Sequence, residues 1–271
     1  LLNVNKFYMN KKIIVCAFGP VGFGNLNQLL MMPQCSADDI FVYTENKDSN
    51  KMLIEFLENM KISYSFELIN NCFDEVKSMK PDYIISMFYR RIIDEKILKI
   101  VGDRTLNVHQ SLLPRHKGRF IAFWTLFSND KFTGVTYHRM IKEVDSGEIL
   151  LVKKIKIDKD ETAYSLHNKL IHLAISNFQL AFKRLINGYS GYQIKGKSTE
   201  TSYFGSKIPF DGILNANKTS YDKAIDFVSA MYFPPMSGAK FIINKKIIEI
   251  NSIKELSKYR KKFKIGVGLY G

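Results

Sequence analysis

The feature that most constrains this chain is a short, wholly apolar run, IIVCAF at residues 13–18, which ends in a glycine-rich turn. Continuous β-branched runs of this length are typical of strands that are covered on both faces of a sheet. The turn at residues 19–24 leads into a segment with Leu26, Leu29 and Leu30 on one helical face. A buried strand followed directly by a helix predicts an α/β fold.

The same alternation continues along the chain. A second strand is predicted at residues 40–44, a helix at 50–60, and another buried strand at 82–88 after the helix breaker Pro81. Strands that alternate with helices predict a Rossmann-like, mostly parallel sheet with helices on both faces and right-handed crossovers. Apolar residues at three- and four-residue steps predict one long amphipathic helix over residues 161–186.

The amino-acid composition changes at residues 188–197, which hold three glycines and several polar residues, and this change predicts the end of the catalytic domain. We therefore divide the chain into a catalytic domain at 10–190 and a small mixed α/β subdomain at 198–271. Within the subdomain, the pattern predicts a helix at 221–232 and an alternating strand at 240–250.

Composition narrows the environment and the partners. The net charge of +14 suits anionic partners such as nucleic acid, nucleotide diphosphates or folate carboxylates, although lysines spread over the whole surface explain it equally simply. Three cysteines without CxxC spacing argue against a disulfide framework and a cysteine zinc site. No run resembles a membrane helix or a signal peptide, so we expect a cytoplasmic protein without a membrane partner. Residues 1–8 precede Met9 and are treated as an upstream start or an added sequence.

The glycine turn is a weak signal for a dinucleotide site. Its pattern is GxxGxG, whereas the dinucleotide fingerprint requires GxGxxG and an acidic residue after the second strand. A phosphate over the helix N-terminus remains an alternative. A tight connection from strand to helix explains the glycines more simply.

The most informative residues lie at the end of a predicted strand. Residues 105–109 alternate, so Asn107 and His109 project from the same face. Ligands of open α/β sheets usually bind at the carboxyl ends of strands. Asp145 follows a further predicted strand at 133–138 and lies in a turn from which it can reach back over the sheet edge.

This trio suits acyl transfer to an amine. An imidazole can take the proton that an attacking amine must lose, and an asparagine amide can stabilise the developing oxyanion. A carboxylate beside the histidine orients the ring and favours its protonated form. Each residue also fits a plain structural role as a turn residue or a satisfied polar group. The pattern alone leaves both interpretations open.

An ordered set of motifs resembles the formyltetrahydrofolate-dependent formyltransferases. That superfamily pattern reads N-x-H-x-S-L-L-P-x-x-x-G, then T-G-x-T-x-H, then D-x-G-x-I. The matching residues here are Asn107-Val-His109, Ser111-Leu-Leu-Pro114, Lys117-Gly118, Thr133-Gly-Val-Thr136, His138, and Asp145 followed by Gly147-Glu-Ile-Leu150. An ordered set of this kind is far more specific than a glycine turn.

The resemblance implies that Asn107, His109 and Asp145 form the catalytic set, with 10-formyltetrahydrofolate as formyl donor and no metal. It also implies that the pterin binds beside residues 87–93 and the loop before Asp145. The candidate folate contacts are therefore Phe88, Tyr89, Ile93 and Val144. We assign His138 a structural role and His116 to the loop. Some relatives carry a proline shortly after the glycine corresponding to Gly118, so the different sequence at 119–124 predicts a different acceptor-side wall.

The C-terminal segments 202–205, 211–213 and 230–239 look like those of sugar N-formyltransferases. This resemblance implies a dTDP-linked amino-dideoxyhexose as acceptor, preferably 4-amino-4,6-dideoxyglucose rather than a 3-amino sugar, for surface polysaccharide such as lipopolysaccharide O-antigen. It also implies a homodimer. One alternative is methionyl-tRNA formyltransferase, although the tail is short for that enzyme's closed barrel. The other is a non-enzymatic basic α/β nucleic-acid-binding protein.

A nucleotide sugar needs cations for its pyrophosphate and an apolar slot for its base. Arg90 and Lys117 are the predicted cations, because both lie in loops expected beside the sheet edge. Tyr232 and Phe233 are the predicted base contacts, since the prolines that follow end the helix. The alternative is that both aromatic rings pack in the core of the subdomain.

Overall fold

In the computed structural model of the protein, residues 11–193, 202–205 and 207–264 are described. The expectation for residues 1–8 and part of the predicted boundary at 188–197 lie outside them. Two compact units interleave along the chain: unit 1 comprises residues 1–114, 135–153 and 171–197, and unit 2 comprises residues 115–134, 154–170 and 198–271. The division into domains at 10–190 and 198–271 stays a prediction.

The described strands form one large sheet and two small ones. In chain order they are β1 (Ile13–Ala17), β2 (Ile40–Tyr43), β3 (Ser63–Ser65), β4 (Tyr83–Met87), β5 (Thr105–His109), β6 (Lys117–Gly118), β7 (Phe132–His138), β8 (Ile149–Lys156), β9 (Tyr203–Phe204), β10 (Ile213–Asn215), β11 (Ala239–Ile243) and β12 (Lys246–Ile250). The large sheet has the order β3-β2-β1-β4-β5-β7-β8. Its first five strands pair in parallel and β7 is antiparallel to β5, which confirms the predicted Rossmann-like, mostly parallel α/β fold.

The helices follow the strands as the alternation predicts. They are α1 (Gly19–Leu30), α2 (Lys51–Asn59), α3 (Phe73–Ser78), α4 (Glu95–Leu98), α5 (Ile121–Phe127), α6 (Ala163–Ser176), α7 (Phe178–Ile186), α8 (Tyr221–Met231) and α9 (Ile253–Ser257). Helix α1 packs so closely that a Cβ on Gly24 would clash with the side chain of Ile175. None of the helices in the described part of the chain is long and apolar enough to cross a membrane.

The turn between β1 and α1 is stabilised by the protein itself. The backbone N–H of Gly19 donates to Asn50 Oδ1 at 2.8 Å, and Asn50 Nδ2 donates to Thr44 Oγ1 at 2.6 Å and to the Glu45 carbonyl at 2.8 Å. Thr44 Oγ1 in turn donates to the Ala17 carbonyl at 2.8 Å. A side-chain amide thus occupies the first N–H of the helix, which supports the structural interpretation of the glycine turn.

The prediction of one helix over residues 161–186 was wrong. The structure has two helices, α6 and α7, because Asn177 leaves the helical region with φ −111° and ψ 2°. Asn177 Nδ2 donates to the Leu173 carbonyl at 3.0 Å, so a side chain competes for the backbone acceptor of that turn. Apolar periodicity continues across the break and therefore did not reveal it.

The single strand predicted at 240–250 was also wrong. Residues 239–250 form a hairpin in which β11 pairs antiparallel with β12. Asn244 and Lys245 occupy its two-residue turn with φ of 51° and 63°. Two positive φ values are typical of a type I′ turn, which glycine normally marks in a sequence. The pair found here, Asn244-Lys245, has the asparagine that favours such a turn but lacks the glycine.

The C-terminal part of unit 2 is a small mixed subdomain, as predicted. Strand β10 pairs in parallel with β11, and α8 begins after Ser220, whose side chain accepts the N–H of Lys223 at 3.2 Å. Phe241 of β11 is fully buried against Phe227 of α8, with ring centroids 5.7 Å apart. Aromatic packing between helix and sheet therefore forms the core of this subdomain.

Candidate active site

Strand pairing brings two polar residues face to face at the end of β5. The antiparallel register pairs Asn107 with His138 and His109 with Thr136. Alternate residues of a strand share a face, so His109 lies on the same side of the sheet as Asn107. The backbone ladder therefore fixes the spacing of the site before any side-chain contact is made.

Asp145 reaches the same place from the loop between β7 and β8. Its backbone adopts φ 50°, the left-handed region that favours glycine but that aspartate tolerates. The loop is held by the Arg139 N–H, which donates to the Glu148 carbonyl at 2.9 Å. At Gly147 an added Cβ would clash with the Arg139 carbonyl oxygen. This close approach explains why the Asp-x-Gly motif needs its glycine.

The carboxylate of Asp145 lies beside both of the other predicted catalytic residues. Its Oδ2 is 3.6 Å from His109 Nδ1, and its Oδ1 is 3.5 Å from Asn107 Nδ2. The side chains of Asp145 and His109 are each 8% exposed, so solvent screens their interaction weakly. The structure therefore assembles Asn107, His109 and Asp145 into one constellation, as the sequence predicts.

His138 orients the amide of Asn107. His138 Nδ1 lies 2.7 Å from the Arg139 carbonyl, which can only accept, so Nδ1 carries the proton. His138 Nε2 is then an acceptor for Asn107 Nδ2 at 3.0 Å. The Nδ2 group of Asn107, which carries the two amide hydrogens, therefore faces His138 and Asp145. The structural role that we assign to His138 is therefore to orient the side-chain amide of Asn107.

The Ser-Leu-Leu-Pro motif is held by the second motif of the pattern. Thr136 Oγ1 donates to the Ser111 carbonyl at 2.7 Å and accepts the Leu113 N–H at 3.3 Å. Both contacts are buried. One threonine of β7 therefore fixes the loop that follows β5, which explains why the two motifs occur together.

The predicted folate residues lie on two loops of unit 1. Phe88 directly follows β4, has φ 67° and forms an isolated β-bridge with Ala17 of β1. Tyr89 packs against a buried apolar cluster. Burial raises the pKa of the Tyr89 hydroxyl to about 12. Ile93 belongs to that cluster, whereas its neighbour Ile92, which the sequence did not single out, is 62% exposed. Val144 is half-buried in the loop before Asp145, and the assignment of these residues to folate stays a prediction.

The predicted nucleotide-sugar residues are spread over both units. In unit 1 the Arg90 guanidinium lies 5.0 Å from the centre of the Phe18 ring. In unit 2, β6 places Lys117 beside Tyr203 of β9. Phe233 packs edge-on against Tyr164 with ring centroids 5.7 Å apart.

Neighbouring contacts complete the surroundings of the two aromatic residues. The Phe233 ring also lies 5.3 Å from that of His167, and the Tyr232 carbonyl accepts the Tyr164 N–H at 3.1 Å. Both residues thus have partners within unit 2, and their contact with a base stays a prediction.

His116 has a role in unit 2 that the sequence did not suggest. Its Nε2 lies 2.6 Å from Asp130 Oδ2, and its ring stacks on Phe204, which stacks on Trp124 at 3.8 Å. Arg115 Nη2 donates to the other oxygen of Asp130 at 2.6 Å. This cluster lies in the segment of residues 115–124, part of which the sequence predicts to form a different acceptor-side wall.

A metal centre has no counterpart in the described residues, which contain no group of three or more His, Cys, Asp or Glu side chains placed to hold an ion. The arrangement at β5 instead offers a base, an amide donor and a carboxylate. These groups suffice to move a proton and to stabilise an oxyanion.

Comparison with known proteins decides the family. The family model described as formyl transferase matches residues 31–181, more than half of the chain. The chain belongs to the formyl transferase family. The resemblance carried by the motifs at residues 105–150 is thereby confirmed, and the protein is an enzyme of this family.

The formyltransferase has relatives of similar length. It is 30% identical over 249 residues to GDP-perosamine N-formyltransferase of Brucella melitensis, covering 90% of this chain and 93% of that protein. WlaRD, a sugar 3N-formyl transferase solved with dTDP and 5-N-formyl-THF, is 25% identical with a TM-score of 0.71, over 89% of this chain and 85% of WlaRD.

The fold of the formyltransferase is shared more widely. An N-formyltransferase from Helicobacter canadensis, in complex with folinic acid and dTDP-3-aminofucose, has a TM-score of 0.71 at 22% identity, over 88% of this chain and 87% of that one. Folates are bound by both solved proteins, as the resemblance leads us to expect of the family.

Proposed function

We propose that this formyltransferase moves the formyl group of 10-formyltetrahydrofolate to the amine of a nucleotide-linked amino-dideoxy sugar. The observation that carries the proposal is the placement of the Asp145 carboxylate at 3.6 Å from His109 Nδ1 and 3.5 Å from Asn107 Nδ2. A relative that covers nearly the whole chain and acts on GDP-perosamine supports the sugar acceptor.

The first step is attack of the acceptor amine on the formyl carbon. His109 takes the proton that the amine releases, and Asp145 stabilises the resulting imidazolium because its carboxylate lies beside Nδ1. Since Nδ1 faces Asp145, Nε2 is the ring nitrogen directed away from the carboxylate and toward a substrate. A neutral base of this kind contributes about a hundredfold or more to a rate.

The tetrahedral intermediate carries a negative oxygen that Asn107 is placed to stabilise. One hydrogen of its Nδ2 is held by His138 Nε2 at 3.0 Å, while the contact with Asp145 Oδ1 is long at 3.5 Å. A hydrogen bond of that length is weak, so redirecting the second hydrogen to an oxyanion costs little. Collapse of the intermediate breaks the bond to N10 of the folate, and the proton held by His109 goes to that leaving nitrogen.

The folate is proposed to bind between the two loops that carry Phe88, Tyr89, Ile93 and Val144. Support comes from residues 88–93, which follow the carboxyl end of β4, where ligands of open α/β sheets bind. Val144 directly precedes Asp145, whose carboxylate lies beside Asn107 and His109. A structure with a non-reactive folate analogue tests this proposal. A pterin bound more than a side chain's length from residues 88–93 would contradict it.

Two nucleotides, dTDP and GDP, are candidates for the nucleotide that carries the acceptor sugar. The C-terminal segments resemble those of dTDP-sugar enzymes, which favours dTDP-4-amino-4,6-dideoxyglucose. The relationship to a GDP-perosamine N-formyltransferase at 30% identity favours GDP-perosamine instead. We retain the dTDP sugar as the proposal and the GDP sugar as the second candidate.

One experiment separates these acceptors. The enzyme is incubated with 10-formyltetrahydrofolate and, in parallel, with dTDP-linked 3-amino and 4-amino sugars, GDP-perosamine and methionyl-tRNA. Mass spectrometry then shows which acceptor gains a formyl group. Transfer to a dTDP-4-amino sugar supports the proposal, transfer to GDP-perosamine replaces the nucleotide, and transfer to tRNA alone would overturn the sugar acceptor.

The contacts of the nucleotide are proposed to be Arg90, Lys117, Tyr232 and Phe233. Calorimetry of dTDP and GDP binding to Tyr232→Ala, with the melting temperature as control, tests the aromatic part. Weaker binding at unchanged melting temperature supports a base contact. A lowered melting temperature with normal affinity would mean that the ring stabilises unit 2 and does not contact the base.

We further propose that the enzyme is a cytoplasmic homodimer that supplies formylated sugars for surface polysaccharide. The resemblance to sugar N-formyltransferases supports this proposal. Light scattering at micromolar concentration tests the oligomeric state, and a monomeric mass would overturn the dimer.

A further inference from the structure

Residues 88–94, which connect β4 to α4, are held by side chains from other parts of unit 1. Phe88 bridges Ala17, and Arg91 Nε donates to Glu45 Oε1 at 3.2 Å. Tyr89 packs against the buried apolar cluster that contains Ile69. This is the connection that the proposed function assigns to the folate.

A further anchor, Asn70 in the short turn Ile69–Asn71, contacts the connection at two points. Asn70 Nδ2 donates to the Ile92 carbonyl at 2.9 Å, and Asn70 Oδ1 accepts the Asp94 N–H at 2.9 Å. In a parallel ladder, one residue bonds in the same way to the C=O before and the N–H after its neighbour. The Asn70 amide thus makes the two hydrogen bonds that a residue of a neighbouring strand would make, one on each side of Ile93. We call this pair of hydrogen bonds the clasp.

The clasp lies at two consecutive isoleucines, of which only the second faces the core. Ile93 is buried in a cluster with Ile69 and Ile97, whereas Ile92 is 62% exposed. Side chains of an extended segment alternate between two sides, so a slip of one residue would exchange them. Without the clasp, the apolar character of both isoleucines gives the segment little preference for one register.

We propose that Asn70 is a positioning residue for the folate, which acts by locking residues 92–94 in the register that presents Ile92 to the ligand. A single exposed isoleucine is common on protein surfaces and proves nothing alone. The second observation is the two-point clasp, which holds that isoleucine outward from a separate turn. The inference rests on the proposed function, because the register matters to the reaction only where this loop contacts folate.

The central test compares Asn70→Ala with the wild-type enzyme. The variant loses both hydrogen bonds, so we expect the KM for 10-formyltetrahydrofolate and the Kd for folinic acid to rise about tenfold. The kcat and the KM for the amino sugar nucleotide should stay within about twofold. A purely structural role would instead lower the amount of active enzyme and leave both KM values unchanged.

Two further variants keep the test informative. Asn70→Asp keeps the acceptor for the Asp94 N–H and loses the donor to the Ile92 carbonyl, so it should raise the folate KM even if Asn70→Ala does not fold. Asn71→Ala, at the exposed neighbouring residue, is the matched control and should leave all constants unchanged.

A double-mutant cycle tests whether Asn70 acts through Ile92. Ile92→Ala should raise the folate KM, and adding Asn70→Ala should raise it little further, because the clasp then has no apolar side chain to present. Additive effects would overturn the proposed route. If the wild-type enzyme binds no folinic acid and transfers no formyl group, the proposed function itself fails. If it does both and Asn70→Ala keeps its folate KM, only this inference fails.

Discussion

Two regions of the molecule are built by opposite means. The polar edge of unit 1, comprising Asn107, His109, His138 and Asp145, is held by strand register and by contacts of 2.7 to 3.6 Å between polar atoms. The aromatic layer of unit 2 consists of rings whose centroids lie 5.3 to 6.3 Å apart: Phe123, Phe127, Phe227, Phe241 and Phe263.

The difference shows that directional polar contacts build one region and that non-directional apolar packing builds the other. Hydrogen bonds are directional, so we expect a small displacement at the polar edge to remove activity while most of the fold survives. Apolar burial is non-directional and scales with area, so the aromatic layer stabilises the fold without specifying any reaction. We therefore expect mutations in the two regions to separate activity from stability.

The largest effect should come from the aromatic layer. Phe241→Ala removes a fully buried ring and should lower the free energy of unfolding by about 3–5 kcal/mol, since it leaves a cavity. Urea unfolding followed by circular dichroism measures this loss. The turnover of the fraction that remains folded should fall far less, and a large fall in kcat at unchanged stability would break the comparison.

At the polar edge, His109→Ala or Asn107→Ala should lower kcat by about a hundredfold or more, which corresponds to roughly 2.7 kcal/mol of transition-state stabilisation. The reason is the loss of the base or of the oxyanion donor. Steady-state rates with saturating substrates provide the measurement, and a thermal melt provides the control. Near-normal turnover in either folded variant would remove that residue from the mechanism.

A smaller effect is expected at His138, whose Nε2 lies 3.0 Å from Asn107 Nδ2 and 3.5 Å from Asp145 Oδ1. His138→Phe keeps an aromatic ring of similar size in this buried position but removes the acceptor for Asn107 Nδ2. We expect kcat to fall about tenfold, less than for Asn107→Ala, because the amide is then free to turn. His138→Asn, which restores an acceptor, should recover part of the rate. Wild-type turnover in His138→Phe would mean that the Asn107 amide is oriented by other contacts.

The smallest effect concerns pH and Asp226 of α8. Burial raises the pKa of its carboxyl from 3.8 to about 6, and the nearby Lys223 ammonium partly offsets this rise. The folded state therefore binds the proton more tightly than the unfolded state, and ionised Asp226 costs stability. This cost appears as the pH rises through about 4 to 6 and is complete above that window.

Asp226→Asn should accordingly raise the melting temperature by about 2–4 °C at pH 7.5 and change it little at pH 4. Differential scanning calorimetry at the two pH values makes the comparison. Asp160→Asn, at an exposed position of unit 2, serves as control. Equal shifts at both pH values would show that Asp226 does not titrate in this window.

The candidate site was predictable because its signals are local. Strand alternation places Asn107 and His109 on one face, and the motif order places Asp145 after β7, the strand that neighbours β5 in the sheet. Asn70 could not be predicted in this way. It acts on a loop more than twenty residues further along the chain, and a lone asparagine in a turn has no distinctive pattern.

The sequence by itself determined the parallel α/β architecture, the strand that carries Asn107 and His109, and the formyltransferase motifs, because these follow from periods of two and 3.6 residues and from residue order. The tertiary structure decided the break at Asn177, the hairpin at Asn244 and Lys245, and the outward direction of Ile92. In each of these places the local pattern is compatible with more than one conformation. A competing side-chain hydrogen bond selects the break at Asn177, whereas pairing with other segments selects the hairpin and the direction of Ile92.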